Sequence, residues 1–497
     1  MTAGNPITSD WPFAAYIEQV DPECRGNPYI EALPPILDDD GAIRAMERGI
    51  RVTEAERELP SIHRIHLLSR IDNFMQPLDY HISLFHRISV GLRRGYVARN
   101  PTGPDFFRDL TDTTSELTRR SATTAQPFRG RIKAGTRQRI GVGTSLTLIG
   151  TSGVGKTTAV EAVLKCYDQV ICHNAIEGQR AAVYQIVWLK LSIPHDGSIK
   201  ALCIDFLQAI DDLLDTGYVR QYVNSRHTLD KLIIVIARVA FLHGLGLLVI
   251  DELQNLNVAK SGGADRMMNT FKLLRDVVKV PLLTIGTPEA VAILSGDLQV
   301  ARRNSGLEHM ERMKNDAEFR LFCESLFDAQ FLRHPLKLTQ AIVALLFWLS
   351  QGIADVVVKV FVGAQMDALS HGLETMEPAM FQAAYDRDLR LLHPFLEGLR
   401  RGEGIKGREF DKAIAETRAN TRSSGGEKAA DTGSPPSPEV IPISGVKARR
   451  RRRKKGEPSA CLLVQVVEDA GVQQIGPHQA LLKAGFIRQL GAEALEQ

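Results

Sequence analysis

GTSGVGKT (150–157) lies between an apolar strand-like run, SLTLI (Ser145–Ile149), and a helix-like run from Thr158 to Lys165. Strand, glycine-rich turn and helix in this order form a loop that cradles a triphosphate. The glycines let the backbone fold closely around the phosphates, and several N–H donors then point inward. Gly150, Thr151, Ser152, Gly153, Val154, Gly155, Lys156, Thr157 and Thr158 are the expected nucleotide-binding residues. Lys156 is expected to reach the β and γ phosphates, and the Thr157 hydroxyl to hold Mg2+. ATP is the expected nucleotide.

Around this loop the chain alternates as a parallel α/β domain does. Strand 185–191 precedes helix 198–214, helix 229–243 precedes strand 247–250, and helix 264–278 precedes strand 282–285. The strands are apolar on both sides, which suits a parallel sheet with helices on both faces. Beyond residue 330 the strands stop, and 337–350, 353–370 and 378–384 have helical spacing. The expected organisation is an N-terminal arm and helical region (1–128), a nucleotide-binding α/β domain (129–330) and a small all-helical lid (331–418). A disordered basic linker (419–458) and a partner-binding tail (459–497) follow. Within the first region, helical spacing starts at Ile62, Pro77 breaks it, and 106–118 resembles a further short helix. Residues 129–143 form a basic connection into the core.

LLVIDE (247–252) supplies the second half of a hydrolytic site. Asp251, at the tip of an apolar strand, is placed to orient hydrated magnesium, and Glu252 to polarise the attacking water. LLTIG (282–286) ends at Thr287, a candidate for contact with the γ-phosphate, with Thr284 as the second choice. Thr287 before Pro288 is also a good helix N-cap. Arg302 and Arg303 are candidates for a cation that reaches a neighbouring subunit's γ-phosphate. Lys359, on a helix that could lean over the nucleotide, is a candidate second sensor.

The 497 residues are 44% hydrophobic and 24% charged, which is ordinary for a globular chain with a real core. The net charge of +3 hides an asymmetry. Lys447 and Arg449–Lys455 carry eight positive charges, and removing them leaves −5 for the rest. Such a run suits nucleic acid or an acidic partner. It has no aromatic residue to stack on bases, so its DNA contacts are expected to be non-specific, with a log–log salt slope of up to roughly −7. The six cysteines lack regular spacing, which points to a reducing cytosol. Cys166, Cys172 and His173 have no second ligand pair nearby for zinc. The opening MTAGNPITSDWPF has no basic-then-apolar leader pattern, and the most apolar run, 233–250, holds Arg238 and His243. A cytoplasmic protein without a membrane partner is expected.

Together these motifs resemble the AAA+ ATPases, whose fold is a P-loop parallel sheet with helices on both faces followed by a small all-helical lid. Within that class GTSGVGKTT (150–158), QIVWLKLSIPHDGS (185–198), LLVIDELQNL (247–256), LLTIGTPEA (282–290), GIADVVVKVF (352–361) and RISVGLRRGYVARNP (87–101) look closest to the TnsC/TniB group of transposition regulators. The resemblance covers roughly residues 60–370. It implies ATP-dependent binding to double-stranded DNA as a ring or filament of identical subunits. It also implies a link between a target-selection protein and transposase subunits, limited by hydrolysis. The long basic extension favours the TnsC-like type. The alternative is an AAA+ replication initiator or helicase loader, but the lid is followed by a low-complexity linker where such proteins usually carry a DNA-binding module. A nucleotide-dependent scaffold built on repeats ranks last, because no repeat is visible.

Overall fold

The computed structural model describes residues 11–103, 145–176, 179–223, 229–258, 263–276, 278–290 and 306–402, with 413 and 416. The helix expected at 106–118, the connection 129–143, Arg302, Arg303, the basic linker and the C-terminal tail lie outside these residues.

Seven strands are described: β1 (Ser145–Ile149), β2 (Val170–Ile176), β3 (Gln179–Ile186), β4 (Trp188–Ser192), β5 (Leu247–Asp251), β6 (Leu282–Gly286) and β7 (Leu307–His309). Five of them form one parallel sheet in the order β4-β5-β6-β1-β7. Side chains of a strand alternate between faces, and here both faces are covered. Ile149, Leu248, Ile250 and Leu282 pack with the helices Ile199–Leu214, Leu229–Leu242 and Gly263–Asp276. Leu148, Val249, Leu283 and Ile285 pack on the opposite side, with the helices Asp79–Val97 and Lys156–Leu164. This double burial explains the continuous apolar runs.

Sequence spacing suggests one strand over 185–191, but the structure has two. β3 lies outside the five-stranded sheet, in an antiparallel hairpin with β2, and β4 starts after Val187. The exchange is made by long-range backbone bonds: Val187 N–H donates to Gln169, and the N–H groups of Gly246 and Leu247 donate to Ile186 and Val187. Local periodicity cannot register a change of partner.

The described N-terminal residues pack into the cores of their neighbours. Leu84, Phe85, Ile88, Leu92 and Tyr96 join the core beneath the P-loop helix. Ile50, Leu68, Ile71 and Phe74 instead join the helical region formed by Ala317–Phe327, Gln340–Ser350, Ala354–Ser370, Pro378–Asp388 and His393–Arg400. Arg64, almost fully buried, ties the two together by donating to both carboxylate oxygens of Glu374 at 2.7 and 2.9 Å. Among the described residues, no single helix is long and apolar enough to cross a membrane. Cys24, Cys166, Cys203 and Cys323 are free thiols.

Candidate nucleotide site

Parallel strands leave a crevice at their carboxyl ends, where ligands of open α/β sheets bind. The sequence-derived candidates β1, β5 and β6 deliver end there side by side, with β6 between the other two. Gly150 follows β1, Asp251 ends β5 and Thr287 follows β6.

The loop 150–155 is held in shape by its glycines. Gly153 and Gly155 have φ of +80° and +104°, which L side chains rarely adopt. A Cβ on Gly150 would lie 2.4 Å from the Met310 carbonyl oxygen, because β7 runs close beside the loop. Lys156 opens its helix, is buried, and its Nζ donates across the loop to the carbonyls of Gly150 and Thr151 at 2.7 and 2.9 Å. Thr151, Ser152, Gly153 and Thr157 are partly accessible, Val154 is buried and Thr158 is exposed.

The Thr157 hydroxyl donates to Asp251 Oδ2 at 3.0 Å. A hydroxyl and a carboxylate brought together at the mouth of a phosphate loop are hard oxygen donors of the kind Mg2+ takes, with water and phosphate completing its shell. The residues present therefore fit that ion. Lys190, which sequence reasoning missed, lies 3.5 Å from Asp251 Oδ2 and pairs with Glu161 at 2.5 Å. A charged residue at the centre of the apolar run WLKLS was the available signal.

Glu252 turns the chain sharply out of β5, with φ of +59°, and its N–H donates to Asp251 Oδ1 at 2.8 Å. A non-glycine residue in that region is uncommon and is a known mark of functional sites. Solvent reaches the residue, but the cleft walls desolvate its carboxyl and the neighbouring Asp251 charge adds to this. Both push its pKa above the ordinary glutamate value, while Lys156, Gln254 and His195 pull it back. A carboxylate adjusted this way suits a general base.

Thr287 is 3% exposed, and its Oγ1 has no hydrogen-bond partner. The N-cap bond is thus not made, and a buried orphan hydroxyl is costly unless a ligand satisfies it. Thr284 is already engaged: its hydroxyl meets that of Thr147 at 2.9 Å across β1 and β6. Lys359 pairs with Asp355 at 2.8 Å, one turn along the helix Ala354–Ser370. The start of that helix is seated on the loop, where Asp355 N–H donates to the Gly153 carbonyl at 3.1 Å.

Residues 140–294 match the family model of the AAA domain. This match and the paired loop and acids make the domain an ATP hydrolase of the P-loop AAA+ fold. No curated protein matches the chain. Similar solved structures include a Walker-type ATPase of Pyrococcus abyssi (14% identity, 60% of this chain and 77% of that one, TM-score 0.36). Another is the Aeropyrum pernix ORC1 protein in complex with DNA (16% identity, 66% and 82%, TM-score 0.35). A third is the RuvB Holliday junction branch migration motor of Thermotoga maritima (13% identity, 60% and 80%, TM-score 0.29).

Proposed function

We propose that this protein is an ATP-dependent, DNA-binding regulator of transposition that couples target-site selection to a transposase. Hydrolysis limits its assembly on DNA. The observation that carries this reading is the seat of the lid helix on the nucleotide loop, from Asp355 N–H to the Gly153 carbonyl. A helix attached to the phosphate cradle changes its angle when the cradle fills, and nucleotide-gated assembly needs such a two-state element. The likeness of the 87–101, 185–198 and 352–361 stretches to TnsC/TniB regulators supports the finer assignment.

In the proposed cycle, the loop N–H groups and Lys156 bind the triphosphate. Thr157 and Asp251 would hold Mg2+, which supplies charge neutralisation at the phosphates. Glu252 orients the attacking water and takes its proton, while Thr287 and Lys359 contact the phosphate end. Arg302 or Arg303 completes the site of a neighbouring subunit in a ring or filament. The basic run 447–455 adds non-specific affinity for double-stranded DNA, and the two chain ends meet the target-selection protein and the transposase. We place the protein in the cytoplasm.

Electron microscopy on DNA tests this reading. Wild type with ATP should form multi-subunit assemblies that disperse as ATP is consumed. Glu252→Gln should trap them, and Lys156→Ala should form none. Binding of purified transposase to trapped assemblies supports the transposition role. Recruitment of a replicative helicase in its place would favour the initiator reading.

A further inference from the structure

Gln254 sits two residues beyond Glu252, on the short 3-10 turn Leu253–Val258, and its side chain joins two parts of the site. Its Nε2 donates to Glu252 Oε2, and its Oε1 accepts from the Thr287 backbone N–H at 3.2 Å. The amide orientation is fixed by chemistry. A flipped amide would set an N–H against an N–H and an oxygen against a carboxylate, losing both bonds. The bond to Oε2 leaves Oε1 of Glu252 open to accept from water. Thr287, at the other end of the bridge, carries the orphan hydroxyl of the β6 tip.

We infer that Gln254 is a positioning residue that holds Glu252 in its water-activating orientation and ties that orientation to the position of Thr287. A γ-phosphate engaged by Thr287 would fix the β6 tip, and through Gln254 the same event aligns the base. Glu252 needs such a brace because its left-handed backbone projects it from the strand end. Misplacing a reacting group by about 1 Å costs on the order of a hundredfold in rate. The inference rests on Glu252 being the base of the ATP hydrolase.

Steady-state ATPase kinetics on the full chain with DNA test it. Gln254→Ala is expected to lower kcat roughly ten- to hundredfold, with the KM for ATP and the melting temperature close to wild type. Gln254→Glu keeps the acceptor for Thr287 but loses the donor, and should be as slow. Gln254→Lys keeps a donor toward Glu252 and should recover part of the loss. In a Glu252→Gln background, Gln254→Ala should add nothing, because the two act as one unit. Wild-type or faster turnover by Gln254→Ala, with Glu252→Gln inactive, would overturn the role of Gln254 alone. Normal turnover by Glu252→Gln would overturn the assignment of the base and this inference with it.

Discussion

The backbone N–H of Asp355 donates to the carbonyl of Gly153 at 3.1 Å, so the first turn of a lid helix rests directly on the phosphate loop. Lys359 lies one turn further along and is held by the Asp355 carboxylate at 2.8 Å. The contact to the loop uses backbone, so the two functions of Asp355 separate by mutation. Lys359→Ala should lower kcat/KM for ATP about tenfold, the equivalent of about 1.4 kcal/mol of transition-state stabilisation. Asp355→Ala should leave turnover within a few-fold of wild type, since the backbone bond persists. Equal, wild-type kinetics in both variants would reduce Lys359 to half of a partly buried ion pair.

Gly150 gives a sharper test of the cradle. Its neighbour is the Met310 carbonyl oxygen, 2.4 Å from an added Cβ, on backbone that the Met310 N–H ties to Ile149 at 2.8 Å, so relief of the clash requires backbone to move. Gly150→Ala should cost about 1–3 kcal/mol in stability, as overpacking does, and should also abolish ATP binding. Gly217 has nothing within 4 Å of an added Cβ, and Gly217→Ala should stay within about 0.5 kcal/mol of wild type. Denaturant unfolding and fluorescent-nucleotide titration read the two effects.

How much of this site was visible in the sequence depended on whether a residue acts through its neighbours along the chain. Lys156, Thr157, Asp251 and Glu252 stood out because strand, turn and helix bring them to the carboxyl ends of the strands in a fixed way. Helix 199–214 was legible too, with Ser198 as its observed N-cap. Lys190 and Gln254 were not, because their roles come from partners 61 and 33 positions away: Asp251 at 3.5 Å and Thr287 N–H at 3.2 Å. The β2–β3 hairpin was missed for the same reason. Position at the strand end ranks Thr287 ahead of Thr284 in the sequence, but that the Thr284 hydroxyl is consumed by Thr147 shows only once β1 lies beside β6.

Acid should weaken the fold well above the carboxylate range. Burial depresses His81 to about 3 and His243 to about 4, so both are neutral in the folded protein. Nδ1 of His81 accepts the Leu78 N–H at 2.9 Å, a bond that protonation there would destroy. An unfolded histidine takes up its proton near 6.5, so between these values the unfolded chain binds more protons. Stability therefore falls as pH drops from about 6.5, by up to about 1.4 kcal/mol per pH unit for each histidine. Urea midpoints at pH 7 and pH 5 should show the decline. His243→Gln should flatten it, and an unchanged slope would place the proton uptake elsewhere.

The bridge between Arg64 and Glu374 should govern whether the N-terminal segment stays on the helical region. Arg64 is 1% exposed in its side chain and donates twice to Glu374, and also to the Phe331 carbonyl at 3.2 Å. The paired hydrogen bonds from Arg64 lower the Glu374 pKa below its ordinary value. Its stabilisation is therefore complete above the unfolded glutamate pKa of about 4.3 and is lost as pH falls through the lower folded value. Glu374→Gln keeps one acceptor oxygen but removes the charge, and Glu374→Ala strands a buried guanidinium. Breaking a buried pair from one side costs about 3–5 kcal/mol, so Glu374→Ala should lower the unfolding midpoint strongly and Glu374→Gln less. Because Arg64 anchors the segment that carries Leu68 and Ile71 into the helical core, the same variant should speed proteolysis within residues 50–75. Unchanged cleavage there, with a lowered midpoint, would mean that apolar packing alone holds the segment down.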